Sequence, residues 1–192
     1  MLIRNMMPED GAEVLKIYKQ GIDAGKSTFT LECPSWEEWD LGHHQVCRYV
    51  AVCDDQIAGF AAVSPTSSKE RYRGVVEVMI YVDEKYWHHG IGTGLLKKII
   101  EEAPDNGFWC LYSSIYSSNE KSIKLHEKCG FRTIGYRERI AKDKFGNWTD
   151  TTLMEYRFPD CEELGLKRGT VKLVPHQKSW EDNAKQTILL LK

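Results

Sequence analysis

Apolar and polar residues alternate along the chain with two different periods, and the clearest stretch combines both. Val75–Val82 is rich in β-branched residues and is interrupted by Glu77, with Gly74 before it and polar residues after it, which predicts a buried strand. A short turn then leads to Gly90, after which apolar side chains recur at helical spacing. This change of period predicts a strand, a tight turn and an amphipathic helix with a glycine-rich start.

The remaining apolar runs extend this alternation over most of the chain. Strand-like segments cover residues 2–6, 48–53, 56–63, 109–115, 131–137 and 151–158, and helix-like segments begin at Pro8, Ser35 and Asn119. Turns are predicted at Asp54-Asp55 and over residues 142–148. Strands and helices in this order predict an α/β (α+β) fold with a mixed central sheet of about seven strands flanked by helices.

Length and charge narrow the classes of function. The 192 residues are enough for one well-packed domain and few for two. The formal net charge is −2 with both signs scattered, so the chain has no basic field to attract nucleic acid or an acidic membrane surface. No apolar run has the length of a membrane span, and the first residues lack the layout of a signal peptide. We therefore expect a cytoplasmic protein that acts on a small molecule.

Cysteine and histidine spacing indicates neither a disulfide framework nor a metal centre. The six cysteines show no C-x-x-C pair, and Cys53 and Cys110 lie in strand-like runs, which favours buried free thiols. Histidine pairs occur at 43–44 and 88–89, but neighbours in a helix point to different faces, and no carboxylate stands at ligand spacing. We therefore expect no metal.

The glycine-rich helix start is suited to an anion. The first turn of a helix leaves backbone N–H groups unpaired and carries partial positive charge, so glycines there let a phosphate approach the bare backbone. Gly90, Gly92 and Gly94 are spaced by two, which fits neither the dinucleotide fingerprint nor the phosphate loop of nucleotide-binding proteins. A diphosphate ligand is one interpretation, and tight packing of the helix on the strand is the other.

Two longer motifs give this stretch a more specific meaning. The run from Trp87 to Gly92 resembles the acetyl-CoA-binding motif Q/R-x-x-G-x-G/A of the GNAT N-acetyltransferase superfamily, with Trp87 in place of the usual Gln or Arg. The run from Asn119 to Phe131 resembles that family's pattern N-x-x-[SA]-x-x-L-[YH]-x-x-x-G-[FY]. The resemblance covers residues 1 to about 158, which implies an N-acetyltransferase domain with the GNAT fold over residues 1–160.

The resemblance narrows to amino-acid acetyltransferases of the phosphinothricin and methionine sulfone or sulfoximine type. Residues 27–30, residues 34–39 and the pair Tyr72-Arg73 carry it. It implies a homodimer, acetyl-CoA as co-substrate, and direct attack by the α-amine of a small amino acid in a ternary complex. Relatives of the phosphinothricin type have Gly-x-Trp-His-Asp before the last strand, whereas this chain has Thr149 at the histidine position. A threonine cannot act as a base at neutral pH, which disfavours phosphinothricin as the preferred substrate.

Residue pattern and resemblance together assign roles to individual side chains. Glu77, in a buried strand beside the cofactor, would have a raised pKa and act as general base; a structural ion pair with Arg71 or Arg73 is the alternative. By its position in the helix motif, His126 would protonate the departing thiolate, unless it is a packing residue. The residues expected to bind the cofactor are Ile80, Tyr81, Val82, His88, His89, Gly90, Ile91, Gly92, Thr93 and Asn119.

Two residues are expected to bind the amino acid. Arg73 would hold the carboxylate in a bidentate grip, on the same strand face as Glu77 if the strand extends that far, because their separation is even. The resemblance implies that Phe29 packs against the substrate side chain. A solvated loop for Arg73 and a core position for Phe29 are the alternatives.

Residues 161–192 lie outside the acetyltransferase pattern. Residues 165–181 resemble the opening strand and helix of the GrpB family without its acidic catalytic part, so we expect a C-terminal extension that transfers no nucleotide. Two other functions stay open. One is a non-catalytic acetyl-CoA-binding module that regulates a partner, and the other is an enzyme that acetylates a protein N-terminus or a polyamine.

Overall fold

The computed structural model describes residues 1–158, and the elements below belong to that range. Its helices are α1 (Gly11–Ala24), α2 (Trp36–Leu41), α3 (Ile91–Glu102) and α4 (Glu120–Lys128). Its strands are β1 (Leu2–Asn5), β2 (Tyr49–Cys53), β3 (Gln56–Pro65), β4 (Val75–Val82), β5 (Cys110–Tyr116), β6 (Arg132–Lys142) and β7 (Trp148–Arg157).

These strands form one mixed sheet in the order β1-β2-β3-β4-β5-β7-β6. The neighbours β4 and β5 run parallel and are connected through α3. The other neighbouring pairs are antiparallel. The mixed sheet with flanking helices predicted from the sequence is confirmed, and β4 lies at its centre.

Each face of the sheet is covered by its own hydrophobic core. On one face, α3 packs its predicted apolar side chains Ile91, Leu95 and Ile99, each at most 1% exposed. On the other face, α1 and α2 pack against alternate residues of β2, β3 and β4. Successive strand residues point to opposite faces, so Glu77 lies on the face that α1 covers, in line with Tyr81.

Local signals set the ends of several elements as predicted. The Ser35 hydroxyl accepts the Glu38 N–H and the Glu38 carboxylate accepts the Ser35 N–H, which is the capping box expected at the start of α2. The chain leaves α1 through Gly25 in the left-handed conformation, with φ 64°. Asp54 and Asp55 also have positive φ, 48° and 58°, as the tight turn between β2 and β3 requires.

The strand limits differ from the prediction in two places. The hairpin of β6 and β7 is longer than predicted, because β6 continues past Arg137 and β7 begins before Thr151. This part of the hairpin is held by backbone pairing, and its exposed side chains follow no apolar period. β4 does not extend to Arg73, so the condition for a strand face shared by Arg73 and Glu77 is not met. Arg73 closes a turn before the strand by donating its backbone N–H to the Glu70 carbonyl at 3.2 Å.

The cysteines of the described residues form no disulfide, and the potential metal ligands form no cluster. The cysteines at 33, 47, 53, 110 and 129 are free thiols. Cys110 is buried as expected and Cys47 is buried as well, whereas Cys53, also expected to be buried, is only partly buried, as are Cys33 and Cys129. Within residues 1–158 no cluster of His, Cys, Asp or Glu could hold a metal ion, and no helix has the length and apolar character to cross a membrane. Cys161 and the predicted GrpB-like extension lie outside the described residues.

Candidate functional site

The central strands β4 and β5 separate partway along the sheet. Their parallel pairing ends at Glu77 on β4 and Tyr112 on β5. β4 nevertheless continues to Val82 and β5 to Tyr116. The edge of β4 beyond Glu77 that faces β5 therefore has no strand partner in the described chain, and such an edge can bind an extended ligand through its backbone groups.

A cleft of about 910 Å³ opens at this separation. Residues of α1 and the loop after it line one side, and the starts of α3 and α4 line another, so the cleft joins the two faces of the sheet. Its size is that of a site able to bury a whole small ligand. The lining includes most of the residues predicted to bind a cofactor, namely Ile80, Tyr81, Val82, His88, Gly90, Ile91, Gly92, Thr93 and Asn119. His89 is exposed and lies outside the lining, so its cofactor role stays a prediction.

Two helix starts border the cleft, residues 90–93 of α3 and residues 118–122 of α4, and we call them the helix-start cradle. The α3 start has no side-chain cap. Its first helical hydrogen bond runs from the Gly94 N–H to the Gly90 carbonyl, 2.9 Å. The N–H groups of residues 91–93 therefore have no acceptor within the helix. These donors, together with the helix dipole, favour an anion at this point.

The geometry of the cradle requires glycine at two positions. Gly90 has φ 77°, a left-handed conformation that other residues adopt only at a cost. A Cβ on Gly92 would lie 2.6 Å from Cδ1 of Leu125 on α4, so glycine permits the close approach of α3 to α4. A Cβ on Gly94 would instead meet Ile3 at 3.0 Å. The packing interpretation thus applies to Gly92 and Gly94, whose neighbours lie on α4 and β1, and the ligand-binding interpretation fits Gly90.

Trp87 stands at the motif position usually held by Gln or Arg, and it is 50% exposed beside the cradle. Its Nε1 donates to the Val82 carbonyl at 3.0 Å. Lys121 places its Nζ 5.1 Å from the centroid of the Trp87 ring, and both residues line the cleft. A positive charge therefore stands beside the cradle, but it comes from α4. Sequence reasoning missed Lys121, because only the fold brings it next to position 87.

Two predicted residues of α4 are held by local hydrogen bonds. Asn119 caps the helix, since its Oδ1 accepts the Ser122 N–H at 3.2 Å. His126 is 4% exposed; its Nε2 lies 3.0 Å from the Ser113 Oγ and its Nδ1 lies 2.8 Å from the Ser122 carbonyl oxygen. A carbonyl only accepts, so in the neutral ring Nδ1 donates and Nε2 accepts from the hydroxyl. Burial lowers the pKa of His126, which favours this neutral ring. The contacts join α4 to β5, and the acid role stays a prediction.

Glu77 lies where β4 and β5 begin to separate, and its side chain is partly buried. Burial raises the pKa of the Glu77 carboxyl above its ordinary value, and the Ser114 backbone N–H and the positive charge of Arg137 offset this only in part. A carboxyl with a raised pKa is suited to exchange protons nearer neutral pH than an exposed one. The raised pKa expected from the sequence is therefore present.

The sheet face that carries Glu77 continues across three more strands. Strand register places Tyr112 and Tyr116 of β5, Thr151 of β7 and Arg137 of β6 on this face, and we call it the Glu77 face. Sequence pattern gives no sign that Arg137 belongs here, because its position depends on the register of three separate strand pairs.

The loop between α1 and α2 closes one side of the Glu77 face. Phe29 packs against Tyr116 with ring centroids 4.6 Å apart, and the Tyr116 hydroxyl donates to the Thr28 carbonyl at 2.7 Å. Burial raises the pKa of Tyr116 to about 12, so the hydroxyl keeps its proton for this bond. Phe29 is outside the cleft lining, but it borders the same face as Glu77.

Arg73 is not part of this group. Its side chain is 46% exposed, and its Nη1 lies 2.7 Å from a Glu70 carboxylate oxygen in the turn before β4. Within residues 1–158 neither Arg71 nor Arg73 forms an ion pair with Glu77, so the contacts do not support the structural ion-pair alternative. The role of Arg73 at a substrate carboxylate stays a prediction that its present contacts do not favour.

Comparison with known proteins links this geometry to one family. The model of the acetyltransferase (GNAT) family matches residues 13–131, which include Glu77 and the whole helix-start cradle. A protein from Pseudomonas paraeruginosa named L-methionine sulfoximine/L-methionine sulfone acetyltransferase is 34% identical over 100 residues. That match covers 52% of this chain and 58% of the relative, so it spans less than two thirds of the relative's length.

Two further matches cover more of the chain. A Salmonella typhimurium protein of the same name is 31% identical over 165 residues, which cover 83% of this chain and 96% of that protein. The yncA protein of Salmonella typhimurium, solved with its cofactor acetyl-CoA, matches with a TM-score of 0.76 at 25% identity, over 83% of this chain and 95% of that chain.

Proposed function

The chain belongs to the acetyltransferase (GNAT) family, and from this premise we propose that it transfers the acetyl group of acetyl-CoA to the α-amine of a small amino acid. The observation that carries the proposal is the position of Glu77. Its carboxyl, with a raised pKa, lies on the Glu77 face at the point where β4 and β5 separate. A general base is needed at such a junction, because the amine must lose a proton before it can attack an acyl group.

The helix-start cradle fits the diphosphate of acetyl-CoA. The N–H groups of residues 91–93 would bind the phosphate oxygens, and Gly90 leaves the backbone accessible to them, while Gly92 lets α4 pack closely beside the same turn. The unpaired edge of β4 beyond Glu77 would bind the amide groups of the pantetheine arm as a neighbouring strand would. When bound, acetyl-CoA supplies the activated acetyl group as a thioester.

The proposed acceptor is a small amino acid or analogue. Relatives named for methionine sulfoximine and methionine sulfone support this class, one of them along almost its whole length. Phe29 and Tyr116 would form an apolar wall for the acceptor side chain on the Glu77 face. Thr149 at the position of a histidine in phosphinothricin-type relatives makes methionine sulfone and methionine sulfoximine the better candidates.

Glu77 performs the first proton transfer in the proposed reaction. The ionised carboxylate takes a proton from the ammonium group of the amino acid, directly or through one water, which frees the nitrogen lone pair. The nitrogen forms its bond to the acetyl carbonyl carbon and loses its second proton as the carbon–sulfur bond breaks. The departing thiolate takes a proton, so the products are the amide and the free thiol. The raised pKa of Glu77 brings the proton affinity of the carboxylate closer to that of the amine.

His126 is the proposed donor of the proton that the thiolate takes. The ring lines the cleft. Because Nε2 carries no proton in the neutral ring, His126 would first have to take up a proton there from solvent and exchange the Ser113 hydroxyl for the sulfur. His126→Gln keeps polar atoms at this position but removes the titration. Slower turnover with an unchanged melting temperature would support the acid role, whereas an equal loss of both would assign His126 to packing.

A thiol-release assay with acetyl-CoA tests the proposed function. The acceptors are L-methionine sulfone, L-methionine sulfoximine, phosphinothricin, the common amino acids, spermidine and a peptide with a free N-terminal alanine. We expect release with at least one amino acid of the methionine sulfone type. Release with only spermidine or the peptide would overturn the acceptor class, and acetyl-CoA binding without release would indicate a non-catalytic module.

We also propose that the protein is a homodimer. Large apolar side chains of the hairpin of β6 and β7 are exposed, including Tyr136 at 58%, Phe145 at 66% and Trp148 at 59%. Exposed apolar groups clustered in this way often mark protein interfaces. Light scattering should give a mass of about twice 22.1 kDa, and a monomer at micromolar concentration would contradict the proposal.

A further inference from the structure

A positive charge on the Glu77 face, that of Arg137, forms no ion pair within residues 1–158. Arg137 on β6 lies opposite Thr151 on β7, and Thr151 lies opposite Tyr116 on β5. Tyr116 in turn contacts Phe29 of the loop that closes this face. The Arg137 guanidinium thus has no ion-pair partner in the described part of the chain, although β7, the one strand beside β6, carries carboxylates.

The carboxylates nearest along these strands are already engaged. Glu155 on β7 pairs with Arg132 at 2.5 Å. Asp150, the residue before Thr151, accepts the Arg139 backbone N–H at 2.7 Å. Because both carboxylates already interact with other residues, the Arg137 guanidinium remains available to bind an anion from outside the chain.

A β-bulge that is held by hydrogen bonds fixes the backbone next to Arg137. Between the pairs Arg137–Thr151 and Ala141–Thr149, residues 138–140 of β6 face the single residue Asp150 of β7. Bulges of this kind re-aim neighbouring side chains and often occur beside active sites. Asp150 holds this bulge, because it also accepts a hydrogen bond from the Tyr136 hydroxyl.

The far end of the hairpin is attached to α1. Lys144 donates from Nζ to the carbonyl oxygens of Ile22 and Asp23, at 3.1 and 3.0 Å, where the end of the helix leaves carbonyls unpaired. The hairpin is therefore fixed to β5 by the pairing of β7 and to α1 by Lys144. Arg137 lies between these attachments, so its backbone is held in place over the Glu77 face.

We propose that Arg137, rather than Arg73, binds the carboxylate of the amino-acid acceptor while Glu77 receives the proton of its α-amine. This inference rests on the proposed function and specifies how the acceptor is held. A guanidinium can bind a carboxylate through two parallel hydrogen bonds, which orients the amine on the adjacent carbon. The charge of Arg137 also affects the titration of Glu77, so the two groups lie close enough to share one small ligand. Arg73 would first have to leave Glu70.

The test compares one acceptor with and without its carboxylate, L-methionine sulfone and its carboxamide. Kinetics are measured for the wild type, Arg137→Ala, Arg137→Lys and Arg73→Ala, with Arg132→Ala as a control that removes the same charge from the same strand. We expect Arg137→Ala to raise the KM for the acid about 10- to 100-fold. The KM values for the carboxamide and acetyl-CoA should change less than about 2-fold, and Arg137→Lys should recover part of the loss.

The possible negative results distinguish a failure of this inference from a failure of the proposed function. If the wild type uses acid and carboxamide with equal KM, no carboxylate is recognised, and both the proposed acceptor class and this inference are overturned. If the wild type prefers the acid and only Arg73→Ala removes that preference, the inference fails while the proposed function holds. An equal rise in KM for acid and carboxamide in Arg137→Ala would indicate general damage to the site and would also overturn the inference.

Discussion

The two halves of the candidate site are built in different ways. The helix-start cradle uses backbone N–H groups and glycines from two short segments, and its ligand-binding atoms belong mostly to the main chain. The Glu77 face uses side chains from four strands and a loop, with Glu77 and Arg137 separated by 60 residues in the sequence. A backbone site tolerates changes of side chain, as Trp87 in the family motif illustrates. A side-chain site, in contrast, is expected to change its specificity when one of its side chains is replaced.

This contrast suggests how one fold can keep acetyl-CoA as the acetyl donor and vary the amine that receives the acetyl group. Glycine positions fix the shape of the cradle, and few substitutions leave that shape intact. On the Glu77 face, a new charge on β6 or in the loop before α2 could change the acceptor and leave the donor site unaltered. The two halves should therefore respond to mutation independently.

The largest expected effect comes from removing the base. Glu77→Gln should lower kcat by about 10²- to 10⁴-fold, the usual contribution of a general base, and should leave the dissociation constant of acetyl-CoA within about 2-fold. Steady-state kinetics and calorimetric titration with acetyl-CoA measure the two quantities. The wild-type rate should rise with pH through the raised pKa of Glu77, and the variant should lose this dependence.

Glu138→Gln is a suitable control for that substitution. Glu138 is a 72% exposed carboxylate on β6, so its removal should leave kcat nearly unchanged. If Glu77→Gln reduced acetyl-CoA binding as strongly as turnover, the two halves would not be independent.

A substitution in the helix-start cradle should instead weaken the binding of acetyl-CoA and leave the binding of the amino acid unchanged. In Gly92→Ala the new Cβ would lie 2.6 Å from the Leu125 Cδ1, and Leu125 lines the cleft, so it must shift. We expect the KM for acetyl-CoA to rise roughly 10-fold, about 1.4 kcal/mol, with the KM for the amino acid unchanged.

Gly94→Ala is the matched control, two residues along the same helix. Its Cβ would meet Ile3 on the side of α3 away from the cleft, and alanine is the better helix former. Acetyl-CoA binding should therefore be unaffected. Restoration of the KM by Leu125→Ala in the Gly92→Ala background would identify the steric cause, and equal effects at both glycines would refute it.

The same contrast explains how far the sequence could predict this structure. The β4–α3 unit and the α4 start were predictable, because strand period, glycines and caps are all local signals. Arg137 was not predictable, because its face depends on three strand registers and a bulge at residues 138–140. Arg73 was misplaced for a related reason, since an even separation from Glu77 implies a shared face only if the strand reaches it.

In the helix-start cradle, side-chain charge should contribute less to acetyl-CoA binding than the backbone N–H groups do. Lys121→Ala removes the cation beside Trp87 and should raise the KM for acetyl-CoA about 2- to 5-fold, an effect that added salt should reduce. Lys124→Ala provides the control, because Lys124 pairs with Glu120 at 3.1 Å, is 72% exposed and lies outside the cleft lining. A loss above about 30-fold for Lys121→Ala would mean that side chains dominate this half as well.

The smallest expected effect concerns stability. Because burial raises the pKa of Glu77, the folded protein binds this proton more tightly than the unfolded chain. Stability is therefore lost as the pH rises from the ordinary carboxyl value of 4.5 through the raised pKa, and it stays lower above that value. Glu77→Gln removes this titration, so at neutral pH it should melt a few degrees above the wild type at most, and the difference should shrink toward pH 4. No such gain is expected from Gly92→Ala, since the cradle contains no buried charge. A lower melting temperature for Glu77→Gln across the whole pH range would mean that Glu77 stabilises the fold.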